Sequence, residues 1–159
     1  MPTIVLIAGL VLTALVAGLY FGFTTAVMPA LARVDDRGYV TTMQRIDTAI
    51  LNPWFLTAFL GALALPVVAV FLHLGEDSRA RLPWIIAGAV LYGITVVTTS
   101  VVNIPLNKRI SAAGEVDDRT APAVRTAFHG RWTRFNDLRT VLSTAAVVAL
   151  AVALAQPIG

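Results

Sequence analysis

The sequence predicts an all-α fold: a membrane four-helix bundle with short amphipathic helices in its two long loops. Composition is the first ground, because a 159-residue chain that is 57% hydrophobic and 13% charged, with a mean hydropathy of +0.78, is far too apolar for a soluble domain. The second is four apolar stretches, each near the ~20 residues that cross about 30 Å of hydrocarbon. The third is that polar residues in and beside those stretches recur at helical spacing. The length suits one integral membrane domain over residues 1–159.

The first span is expected at 4–27. It lacks the basic start and small-residue cleavage pattern of a signal peptide, so it reads as a retained helix. Ala14, Gly18 and Gly22 fall four apart, the spacing that admits a close neighbour in lipid, and Pro29 marks a bend or stop. In the following loop Val40, Met43, Ile46 and Ile50 form the apolar face of a helix lying on or capping the bundle. Asp47 borders that face. A lone carboxylate there is expensive unless paired, so a basic partner is expected, Arg139 first of all.

Asn52 and Pro53 read as the cap and first residue of a second span, 54–72, in which Pro66 is a candidate kink. His73 follows in a short exposed turn with Gly75, Glu76 and Asp77, and a lone histidine there reads as interfacial rather than as a metal ligand. The third span, 84–102, opens at Trp84 and carries Tyr92, Thr95, Thr99 and Asn103 within an arc of about 80°. It leaves through Asn103-Ile-Pro105-Leu-Asn107, whose proline frees a backbone carbonyl one turn back. After a polar linker Pro122 starts a helix that runs into the fourth span, 138–157. On it Arg125, His129, Trp132, Asn136, Arg139 and Ser143 also share an arc of about 80°, a single polar stripe running into the bilayer.

Four spans put the two long loops on one side and the termini and the His73 turn on the other. Ten of the twelve Lys and Arg residues lie on the side of the long segments, nine within them and Arg139 at the mouth of the fourth span, which places those segments in the cytoplasm of a multi-pass cell-membrane protein. Both polar stripes rise toward that face. A cavity there would be bounded by Tyr20 and Thr24, by Tyr92 to Asn107 and by the stripe from His129 to Arg139, with the Val40–Ile50 helix as lid. The positive charge forms no basic tract, which argues against nucleic acid. Cysteine is absent, so disulfides, thiolate catalysis and cysteine metal sites are excluded. Paired histidines, glycine-rich nucleotide loops and a nucleophile beside a base are also missing, so no metal site is predicted.

The runs YFGFTTAVMPAL (Tyr20–Leu31), NIPLN (Asn103–Asn107) and RWTRFNDLRT (Arg131–Thr140) resemble the anthrone-oxygenase-like family of small four-helix membrane proteins. The likeness is strongest at Asn103, Pro105, Asn107, Trp132, Asn136 and Arg139. It implies oxygenation of an activated phenolic or anthrone-type substrate. Such a substrate is already acidic at carbon, so its site must mainly stabilise an enolate and admit oxygen. Arg139, Asn103 and Asn136 are the candidate charge and amide donors, and His129 is the candidate base. Trp132, Asn107, Tyr92, Thr99, Tyr20 and Asp47 are the candidate substrate contacts. No cofactor is predicted, with haem and quinone left open. Membrane lipids and a hydrophobic small molecule are the expected partners. A second reading stays open beside the oxidoreductase: a non-catalytic membrane protein that binds a lipid or packs against a partner.

Overall fold

A computed structural model describes residues 2–75 and 79–157. Five helices make up the described chain: α1 (Pro2–Leu31), α2 (Asp36–Ile50), α3 (Pro53–Leu72), α4 (Leu82–Ala112) and α5 (Ala121–Ala155). All but α2 are long and apolar enough to cross a membrane, as the composition led us to expect. They pack as a ring in which α1 and α4 each neighbour both α3 and α5, and the α3–α4 seam is the least extensive.

Helices α1 and α4 run past the expected ends at 27 and 102, and prolines explain how. In each, a π-helical turn precedes the proline: Phe23–Val27 ahead of Pro29, and Thr99–Asn103 ahead of Pro105. Met28 N–H reaches back five residues to the Phe23 carbonyl, and Ile104 N–H likewise to Thr99. Proline has no N–H and its ring crowds the carbonyl four residues earlier; one widened turn absorbs both defects without ending the helix. The second long loop therefore carries its amphipathic helix, Ile104–Ala112, as a continuation of α4. Its length is taken up by the end of α4 and the polar first half of α5, and at 35 residues α5 is about 52 Å long, well beyond the bilayer core. Gly114, at φ +62°, closes α4 in the left-handed conformation that glycine adopts most readily.

Buried side chains fall into three layers. Leu6, Ala69, Ile85, Leu150 and Ala153 fill the end near the termini, and Val16, Ala62, Tyr92 and Ala146 the middle. Met28, Tyr39, Val40, Met43, Phe128 and Trp132 fill the loop end. The expected close approach through Gly18 and Gly22 does not occur, since neither meets any neighbour that a Cβ would touch. Spacing alone does not say which face of an all-apolar helix has a partner. The close contacts lie instead at Gly9, against Pro66 of α3, and at Gly88 of α4, where an added Cβ would sit 2.7 Å from Leu150 Cγ and Cδ2 and 3.4 Å from the Ala146 carbonyl. Gly88→Ala is therefore expected to overpack the α4–α5 seam and lower stability by about 1–3 kcal/mol, read as a fall in the melting temperature of the detergent-solubilised protein.

His73 also departs from expectation. It is 2% exposed rather than displayed on the turn, with Nδ1 2.7 Å from the Ala69 carbonyl. Glu76 and Asp77 lie outside the described residues.

Candidate functional site

Helix α2 lies across the loop end of the bundle. Its apolar face, with Val40 fully buried and Met43 2% exposed, covers α4 and α5. Asp35 caps its start by accepting from Gly38 N–H at 2.8 Å. Four polar ties hold it down. Gln44 Nε2 donates to the Ile110 and Gly114 carbonyls at 2.9 Å each. Asp36 pairs with Arg125 at 2.9 Å, and Tyr39 Oη lies 3.2 Å from His129 Nδ1. The fourth tie is Asp47, whose Oδ1 accepts from Asn107 Nδ2 at 2.7 Å and whose Oδ2 accepts from Ser111 at 3.0 Å. After α2, Asn52 caps α3 by accepting from Phe55 N–H at 3.0 Å.

Beneath α2 lies a cavity of about 250 Å³. Eight of the ten residues singled out from sequence line it: Tyr20, Asp47, Thr99, Asn103, Asn107, Trp132, Asn136 and Arg139. They come from four helices. Its apolar wall is supplied by Met43 and Ile46 of the expected lid and by Phe23, Phe55 and Phe59, which sequence reasoning did not identify, and Lys108 stands at its edge. The i, i+4 spacing of Phe55 and Phe59 at the start of α3 was the available signal for that wall. The rim is also apolar and outward-facing, with Leu51 66%, Leu56 41% and Ile104 40% exposed.

Arg139 is the electrostatic centre. It is 5% exposed, yet its acceptors are all neutral: Asn136 Oδ1 at 2.9 Å from Nη2 and Thr99 Oγ1 at 3.3 Å from Nη1. Its guanidinium carbon lies 4.2 Å from the centroid of the Tyr20 ring and 5.6 Å from that of Trp132, so aromatic faces supply the rest of its stabilisation. Its Nε is buried without a hydrogen-bond partner among the described residues, as are the Tyr20 hydroxyl and both amide atoms of Asn103. The expected Asp47–Arg139 ion pair is not formed. Neutral donors on α4 reach the carboxylate first, because α2 packs along α4 and aligns Asp47 with Asn107 and Ser111 one turn apart.

The two asparagines have different surroundings. Asn136 is fully buried and saturated: Nδ2 donates to the Tyr20 carbonyl and to Thr24 Oγ1, both at 3.0 Å, while Oδ1 holds Arg139. Thr24, in the π turn of α1, passes the chain on by donating to Asp137 Oδ1 at 2.8 Å. Asn103, 1% exposed, lies in the π turn of α4 with no such partners. Trp132 donates from Nε1 to Asn107 Oδ1 at 2.8 Å and packs between Phe23 and Phe128, so Trp132, Asn107 and Asp47 form one connected chain.

Two sequence candidates lie elsewhere. His129 does not line the cavity but packs edge-on against the buried Tyr39 of α2, farther from the bilayer along α5. Burial pushes the Tyr39 phenol well above its ordinary range, with the Arg125 guanidinium over its ring opposing that shift, so the hydroxyl stays neutral beside the imidazole. Tyr92, fully buried one layer deeper, donates to the Phe59 carbonyl at 3.1 Å. Arg125 serves structure, donating to the Ala32 and Val34 carbonyls at the end of α1, at 2.9 Å each. Among the described residues no group of three or more His, Asp or Glu side chains is placed to hold a metal.

The family model described as Anthrone oxygenase matches residues 54–149. The match covers α3, α4 and most of α5, with Asn103, Asn107, Trp132, Asn136 and Arg139 inside it, while Tyr20 and Asp47 precede it. No curated protein and no solved structure matches the chain. Since the matched stretch is more than half of the 159 residues and holds the helices that carry Arg139 and Asn103, the chain belongs to the anthrone oxygenase family.

Proposed function

We propose that the protein is a small membrane oxidoreductase that oxygenates the acidic methylene of an anthrone or similarly activated phenolic compound. The balanced reaction takes one methylene group and one molecule of dioxygen to one ketone and one molecule of water. One observation carries the reading: a buried guanidinium without a carboxylate partner shares a cavity with the unpartnered amide of Asn103 and hydroxyl of Tyr20. Buried polar groups are seldom left unsatisfied, and a buried cation calls for an anion. An enolate oxygen supplies what Arg139 and Asn103 lack, and donors fixed in advance around it lower the barrier to forming it. The aromatic and aliphatic walls fit a flat apolar body, and the exposed apolar rim at Leu51, Leu56 and Ile104 fits a substrate that arrives from the lipid.

The test is oxygen uptake by the purified protein in lipid nanodiscs with anthrone, above a protein-free lipid blank, with the ketone identified by mass spectrometry. Uptake equal to the blank, with a lipid recovered from the purified protein, would favour the non-catalytic ligand-binding alternative.

The cavity end carries the long loops and, with them, ten of the twelve basic residues, so we place it on the cytoplasmic side of the cell membrane. Topology reporters inserted at Gly75 and Gly114 are expected to read outside and inside respectively. An external signal at Gly114 reverses the orientation.

A further inference from the structure

The proposed reaction needs a base, and His129 is not at the cavity. We infer that Asp47 is that base, an assignment that rests on the oxygenase reading above. Its carboxylate removes the proton from the substrate methylene while Arg139 and Asn103 receive the oxygen that gains the electron pair.

Three observations lead there. Asp47 is the one carboxylate among the described residues that line the cavity. It is oriented but not neutralised: each oxygen accepts one hydrogen bond from a neutral donor, Asn107 or Ser111, which leaves a lone pair on each oxygen for a proton. Asn107 is itself fixed by Trp132 Nε1, so the geometry is set from three helices, as a general base in near-attack position requires. The third observation is the separation of roles. Asp47 belongs to α2, whereas Arg139 and Asn103 belong to α5 and α4, and carboxylate and guanidinium bond to other groups instead of to each other. An anthrone carries its carbonyl and its acidic methylene on opposite sides of the central ring, so base and oxyanion donors must stand apart with an aromatic slot between them. The cations lining the same cavity are Lys108 on α4 and Arg139 on α5.

In the first step the methylene C–H bond breaks, its proton goes to Asp47, and its electron pair moves through the ring to the carbonyl oxygen as an enolate. Molecular oxygen adds at the carbon, and Asp47 returns the proton to the peroxide formed. Loss of the second C–H proton, with cleavage of the O–O bond, gives the ketone and water.

The experiment uses the full chain in nanodiscs with anthrone in heavy water under argon, measuring deuterium entry at the methylene, and in parallel oxygen uptake in air. Wild type is expected to accelerate exchange over lipid alone. Asp47→Asn, whose Oδ1 can still accept from Asn107 while its Nδ2 donates to the Ser111 hydroxyl oxygen, is expected to lower that exchange at least ~100-fold at unchanged melting temperature. Asp47→Ala is expected to regain exchange on addition of formate, a rescue that a purely structural carboxylate does not give. Exchange at the wild-type rate in Asp47→Asn overturns the assignment. So does a wild type that consumes oxygen with no exchange above the lipid blank, an outcome that leaves the oxygenase reading standing. A wild type that consumes no oxygen overturns both.

Discussion

Arg139→Met is expected to lower oxygen uptake at least ~100-fold while leaving the melting temperature of the ligand-free protein unchanged or raised. The functional half follows from position: the guanidinium is the buried cation of the cavity, and removing one preorganised donor to a developing oxyanion costs on the order of 10²–10³ in rate. The stability half follows from its partners. Asn136 Oδ1, Thr99 Oγ1 and two aromatic faces are weak compensation for a desolvated charge, and replacing poorly compensated buried charges with apolar side chains of similar volume is often neutral or stabilising. Methionine fills much of the same space. Parallel measurement of uptake and melting temperature decides the matter. A variant that loses stability together with activity would mark Arg139 as a structural cation, and one with full activity would remove it from the reaction.

The bundle and most of the cavity's polar lining were legible in the sequence, and the reasons are physical. Hydrophobic content and span length depend on the bilayer and on nothing tertiary, so the four helices followed from composition alone. The stripe through Trp132, Asn136 and Arg139 was legible because α5 is one unbroken α-helix, in which angular position can be counted at 100° per residue. In α4 that count fails beyond Thr99, since the π turn from Thr99 to Asn103 inserts a residue and rotates the rest of the helix. Asn107 meets Trp132 and Asp47 for that reason, and a helical wheel drawn through Asn103 does not show it. The lid presented a different obstacle. Helical spacing gave the apolar face of α2 but not its direction across the bundle, and that direction decides whether Asp47 meets Arg139 or Asn107. His129 satisfies the stripe geometry as well as Asn136 does. It misses the cavity because the stripe outruns the bundle, and its outer end lies against Tyr39.

Asn103 and Asn136, two buried asparagines lining one cavity, are expected to respond to substitution in opposite ways. Asn136→Leu should destabilise the protein by about 2–4 kcal/mol, because it breaks three buried hydrogen bonds at once and leaves the Arg139 guanidinium with Thr99 as its one remaining hydrogen-bond acceptor. The loss would also loosen α1 against α5, since Asn136 grips both the Tyr20 carbonyl and Thr24 of the π turn and leaves Asp137 and Thr140 to hold Thr24. Activity should then fall in proportion to folded protein, together with a loss that reflects the loosened Arg139. Asn103→Leu removes no hydrogen bond, because neither amide atom has a partner, and it relieves the desolvation of a buried polar group, worth roughly 1–3 kcal/mol. Its melting temperature is expected to hold or rise while turnover falls on the order of 100-fold, by loss of one donor to the enolate oxygen. Melting curves and oxygen uptake for both variants, normalised to folded protein, make the comparison. Equal destabilisation by the two would mean that Asn103 holds the fold as Asn136 does, and its placement at the reacting oxygen would then be wrong.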